Sequence, residues 1–153
     1  MSKGVEAEKM SVQVMKVRKR ILGPEHLDTL SSMTIVGLVY ELRGKYDAAE
    51  PLYRETLHLK KKVLGKEHPQ TLISISNLAV LLKNQGKYDV AEPLYRETLL
   101  LIEKAFGKEH PQTLMSMNNL ALLLDSQGKY DAAEPLYRET LQLREKILGR
   151  EHL

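Results

Sequence analysis

The sequence predicts an all-α solenoid of stacked antiparallel helix pairs. Three observations carry that reading: a 42-residue internal repeat, apolar residues at helical spacing within it, and glycines that punctuate it. Gly-Lys-Tyr-Asp begins at Gly44, Gly86 and Gly128, and Glu-Pro-Leu-Tyr-Arg-Glu-Thr-Leu begins at Glu50, Glu92 and Glu134. Residues 65–106 and 107–148 are identical at 31 of 42 positions, which chance does not produce. A unit of this length cannot bury its apolar face alone, so successive copies must stack.

Each unit reads as two helices. The first is expected from about Pro69 to Gln85. Proline suits an opening helical turn, where its missing N–H costs nothing. Leu72, Ile75, Leu78, Ala79 and Leu82 then follow the i, i+3, i+4, i+7 pattern of one buried stripe. Gly86 ends the helix, because glycine takes the left-handed conformation cheaply. The second helix is expected from Tyr88 or Asp89, and Asp89 with Glu92 has the spacing of a capping box. Its stripe runs through Leu94, Tyr95, Thr98, Leu99, Ile102 and Phe106 to a closing Gly107.

Applied to the whole chain, the period gives a single repeat domain over 1–153 with seven helices. Residues 6–22 align with 48–64 and form an orphan second helix. Pairs follow at 27–64, 69–106 and 111–148, and 149–153 is read as the start of another linker. With no polar capping helix expected after Ile147, α-solenoid logic leaves a face around Leu136, Leu143 and Ile147 through which copies could stack end to end.

Composition narrows the function classes. The 153 residues are 42% apolar and 28% charged, as in soluble globular proteins. The net charge of +3 is small and spread out, giving no case for nucleic acid or membrane partners. No cysteine is present, which removes thiol nucleophiles and cysteine metal sites. No leader or spanning segment is read, and the cytoplasm is the expected location. His26, His68, His110 and His152 recur once per repeat, so copies would lie about 10 Å apart, too far to share a metal. They are read as loop or helix-entry residues. The basic runs at 18–20 and 60–62 do not recur at Leu101-Ile102-Glu103, unlike a nucleic-acid stripe. No catalytic constellation, metal site or cofactor site is expected.

The sequence resembles the tetratricopeptide repeat family, in the 42-residue form found in kinesin light chains. The resemblance rests on Asn118-Asn119-Leu120-Ala121-Leu122-Leu123, Gln127-Gly128-Lys129-Tyr130, Ala133-Glu134-Pro135-Leu136-Tyr137 and Leu148-Gly149-Arg150-Glu151-His152. The signature's small residues fall at Gly37, Ala79 and Ala121, and at Ala49, Ala91 and Ala133. The chain departs from it in lacking tryptophan, in carrying Thr56, Thr98 and Thr140 where alanine is usual, and in having no heptad segment. The resemblance implies a right-handed superhelix whose first helices line a concave groove that binds protein or peptide ligands.

The two best-matched repeats give that implication independent support. Ile73, Ser76, Val80 and Lys83 all differ from their counterparts and lie on one stripe, while the core positions between them barely change. A face free to vary is not packed against the next repeat. The expected groove residues are therefore Ser31, Thr34, Leu38, Glu41 and Leu42; Ile73, Ser76, Asn77, Val80, Lys83 and Asn84; and Met115, Asn118, Asn119, Leu122, Asp125 and Ser126. In peptide-binding relatives an asparagine at 77 and 119 grips the ligand backbone; the first pair has Ile35 there. An interaction scaffold is the leading function, and a structural spacer or self-assembling module the alternative.

Overall fold

The computed structural model describes residues 2–151. The elements are α1 (Lys3–Leu22), α2 (Leu27–Leu42), α3 (Tyr46–Leu64), α4 (Pro69–Asn84), α5 (Tyr88–Phe106), α6 (Pro111–Ser126) and α7 (Tyr130–Glu151), and no strand occurs among the described residues. The chain divides into two compact units, Met1–Leu81 and Leu82–Leu153, with the division inside α4. In a linear array each hairpin touches only its neighbours, so compactness is local even where one repeat domain is read from the sequence.

In the first unit α2 packs between α1 and α3. Its buried side chains are Leu30, Met33 and Val36, and α3 contributes Ala49, Tyr53 and Leu57. In the second unit α6 packs between α5 and α7. Leu114, Met117, Leu120, Leu123 and Leu124 form its core, against Ala91, Tyr95 and Ala133.

Two devices fix the links between helices. Gly44 and Gly128 hold φ at 72° and 76°, a turn that any side chain would strain. At the longer link, Thr29, Thr71 and Thr113 are fully buried, and each Oγ1 donates to the carbonyl of the preceding helix-closing glycine, at 2.8, 2.8 and 2.6 Å. The histidines of the same link open the next helix. His26, His68 and His110 each accept, on Nδ1, the backbone N–H two residues on, at 3.1 Å. An imidazole here does the work usually given to Ser or Asp at an N-cap. His152 lies outside the described residues.

Several boundaries differ from the sequence reading. α1 begins at Lys3 rather than residue 6, because Ser2 caps it by accepting the Val5 N–H at 3.2 Å. The Asp89–Glu92 capping box does not form: Lys87 holds the N-cap position without a side-chain bond. Both carboxylates face the following hairpin instead, Asp89 accepting from Gln127 Nε2 at 2.8 Å and Glu92 from Lys129 Nζ at 2.9 Å. The segment read as linker from residue 149 continues α7 through Gly149, Arg150 and Glu151. Gly23, Gly65 and Gly107 each close a helix with their carbonyl clasped by a downstream threonine.

The threonines that depart from the repeat signature have a local account. Thr56, Thr98 and Thr140 are buried, and each Oγ1 donates to the carbonyl four residues back, at 2.7, 2.8 and 2.7 Å. The hydroxyl is satisfied inside its own helix and fills the place of alanine.

Candidate functional site

Helices α2, α4 and α6 each bury one side and expose the other. None of the predicted groove residues is buried. On α2, Ser31, Leu38 and Leu42 are exposed, and Thr34 and Glu41 are half-buried. On α4, Ile73, Val80 and Asn84 are exposed, with Ser76, Asn77 and Lys83 half-buried between them. On α6, Met115, Asn119, Leu122 and Ser126 are exposed, and Asn118 and Asp125 are half-buried. The contrast within one helix is sharp: Ile73 is 57% exposed and Ile75 is fully buried, two residues apart. Ile35, read only as the place where an asparagine is missing, is itself 49% exposed and adds to the apolar face of α2.

The charged positions on these faces are not equivalent. Tyr53 Oη donates to Glu41 Oε2, and Tyr137 Oη to Asp125 Oδ2, both at 2.9 Å. Burial, reinforced by Glu41, pushes the Tyr53 phenol far above its ordinary range. Burial and Asp125 raise Tyr137 in the same sense. Lys83 occupies the corresponding place in the middle repeat and cannot accept from a tyrosine; burial alone raises Tyr95. The sequence reading places one charge of each repeat on this face and does not anticipate the tyrosines that engage Glu41 and Asp125. The signal is present: an acid recurs 12 residues before the tyrosine in the first and third pairs.

The predicted stacking face on α7 requires correction. Leu136, Leu143 and Ile147 are half-buried, whereas Tyr130, Leu141 and Leu148 are 66%, 59% and 52% exposed. The open stripe lies on a different side of the helix from the one the apolar spacing indicates.

No cluster of His, Asp and Glu among the described residues of these faces could hold a metal ion. What they offer is apolar side chains interleaved with amides and hydroxyls, a surface suited to binding another chain. A model of the tetratricopeptide repeat matches residues 1–62, 37–98 and 70–146.

The chain belongs to the tetratricopeptide repeat family. Its fold is that of solved members. A Podosopora anserina protein described as a kinesin light chain with nearly identical TPR-like repeats aligns with a TM-score of 0.87 at 26% identity. The alignment covers 94% of this chain and 68% of that one. A single-substitution form of the same protein gives 0.86 at 26% identity, with the same coverage. BtubC (BKLC) from P. vanneervenii aligns at 0.84 with 17% identity, over 96% of this chain and 59% of that one, a likeness of fold. No curated protein matches the chain. Tetratricopeptide repeats generally serve as protein–protein interaction scaffolds, and no helix among the described residues is long and apolar enough to cross a membrane.

Proposed function

We propose that the chain is a non-catalytic scaffold and that the exposed faces of its first helices, α2 and α4 in one unit and α6 in the other, are each peptide-binding surfaces for an extended or helical ligand. The observation that carries this reading is the exposure of Leu38, Ile73, Val80, Met115 and Leu122 on helices whose opposite sides are tightly packed. Apolar side chains at these positions do nothing for the core, and burying them against a ligand is favourable by roughly 25 cal/mol per Å². Asn77 and Asn119 supply a donor and an acceptor each, which suits a clamp on a peptide bond regardless of sequence. Glu41 and Asp125 are engaged by tyrosines, so the ligand's anchors are apolar with a few polar groups.

The test is selection from a random peptide library, followed by fluorescence anisotropy with the selected peptide. Truncating Asn77 and Asn119 together to Ala is expected to weaken binding by about tenfold, the effect of losing roughly 1.4 kcal/mol. Charging the face with Ile73→Glu and Met115→Glu is expected to abolish it. Unchanged affinity in both variants, or no saturable binder, would falsify the groove reading.

A further inference from the structure

Ser32, Ser74 and Ser116 hold one repeat position on the first helices, and all three are buried. Fourteen residues before each, on the preceding second helix, stand Arg18, Lys60 and Ile102. The three links treat this pair differently. At the first, Arg18 Nη1 donates to Ser32 Oγ at 2.8 Å and to the Asp28 carbonyl at 3.3 Å. At the third, Ile102 brings no charge. The middle link has the cation without the bond. Lys60 is 6% exposed and Ser74 3% exposed, both inside the first compact unit. Ser74 Oγ is buried with no hydrogen-bond partner, and Lys60 has no side-chain hydrogen bond or ion pair among the described residues. Thr71, one turn before Ser74, donates to the Lys60 carbonyl at 3.5 Å, so the two segments face each other.

Side-chain length accounts for the difference. A lysine ends about one atom short of a guanidinium, and its ammonium is a compact point charge rather than a fork. The gap that Arg18 spans is therefore left between Nζ and Oγ at the middle link. Both groups are donors there: an ammonium has no acceptor, and a hydroxyl turns its proton toward whatever accepts it. A buried charge needs a counter-charge as well as a hydrogen bond, and water supplies only the bond. Burial lowers the Lys60 ammonium below the usual lysine range, as expected of a cation that no acid faces.

We infer that Lys60 Nζ and Ser74 Oγ form a binding site for one small monovalent anion of the halide class, chloride in ordinary buffers. The anion accepts from both donors and neutralises the ammonium in place. Its size follows from the surroundings. Leu57, Thr71, Leu72 and Ile75 beside the two groups are themselves buried, a wall that suits a single atom better than a carboxylate or a phosphate. The site lies apart from the exposed faces of α2, α4 and α6, and the inference stands independently of peptide binding.

The test is thermal unfolding of the full chain in sodium chloride or bromide against sodium gluconate at equal ionic strength, so that screening is common to all. Halide held by the folded form raises the melting temperature saturably, and at ten times its dissociation constant a gain of about 3–6 °C is expected. Lys60→Ile, which brings the residue of the third link to the middle one, is expected to fold and to lose the response. Lys60→Arg is expected to reach Ser74 as Arg18 reaches Ser32, and so to melt higher than wild type in gluconate with no further gain in halide. Ser74→Ala should raise the half-saturating halide concentration severalfold. In crystals grown with bromide, an anomalous peak is expected between Nζ and Oγ. The inference is overturned by equal melting in halide and gluconate, by a halide response that survives in Lys60→Ile, or by a bridging water at that place with no anomalous signal.

Discussion

The first and third helix pairs use the same tyrosine on two different backbones. In the first pair Tyr53 is 2% exposed, and its ring lies directly on Gly37, where an added Cβ would come within 2.4 Å of Cε1. In the third pair Ala121 stands at that place, itself fully buried, and Tyr137 is half-exposed. Both hydroxyls still reach their carboxylates at 2.9 Å. The small residue of the repeat signature is therefore two different things. Glycine at 37 leaves room for the Tyr53 ring against the helix backbone, and alanine at 121 fills that place with its own buried methyl group.

The substitution that breaks this comparison most strongly is Gly37→Ala. The new methyl group meets a ring packed on its other side, and overpacking of this kind costs about 1–3 kcal/mol. Relief of a mid-helix glycine returns at most about 1 kcal/mol. A net loss of about 1–2 kcal/mol is expected in urea unfolding. The reverse change, Ala121→Gly, is expected to cost about 1 kcal/mol through propensity alone. Equal and small effects at both sites would mean that Tyr53 can move aside freely, and the distinction between the pairs would collapse.

Much of this architecture was legible in the sequence, for a physical reason. A 42-residue period repeats the helix-forming pattern, the turn glycine and the apolar stripe, so each copy corroborates the others. Exposure of Ile73 and Val80 was readable because free positions vary where packed ones do not. What could not be read were features that depend on geometry between residues far apart in sequence. The Asp89–Glu92 spacing indicated a cap, yet both groups serve Gln127 and Lys129 across the next hairpin. The pairing of Glu41 with Tyr53 joins two helices through a turn, and spacing alone does not fix which way either side chain points. The histidines, read as loop or helix-entry residues, do stand at helix entry; the cap bond itself was not legible, because an imidazole N-cap has no strong sequence signature.

A second contrast lies at the stripe position shared by Lys60 and Arg144. Lys60 is 6% exposed, and burial lowers its ammonium below the usual lysine range. Arg144 is open to solvent. Holding a cation in the packed layer opposes folding, and the middle repeat avoids this with Ile102. Lys60→Ile is expected to stabilise the chain by about 1 kcal/mol, whereas Arg144→Ile should be near neutral. The pH dependence has a definite sign. Between the lowered folded value and the ordinary lysine value, the unfolded chain binds more protons. Wild-type stability therefore rises with pH across that window, and the variant lacks the rise. A Lys60→Ile melting temperature equal to or below wild type would show that the ammonium is solvated after all.

The smallest expected difference concerns the hydroxyls themselves. Tyr53→Phe removes a donor from Glu41 inside a packed layer and is expected to cost about 1 kcal/mol. Tyr137→Phe removes the same bond where water can replace it, and about 0.5 kcal/mol or less is expected. Titration sharpens the comparison without relying on so narrow a gap. Both phenols are raised above the ordinary value of 10.0, Tyr53 more strongly because burial and Glu41 act together on a ring with almost no access to water. A raised folded value means that stability is lost as pH climbs past the ordinary tyrosine range, where the unfolded chain has already released the proton. In the ultraviolet absorbance of tyrosinate, the slowest-titrating component should vanish in Tyr53→Phe and persist in Tyr137→Phe. If instead Tyr137→Phe removes it, the more open of the two pairs holds its proton harder, and burial is not what separates them.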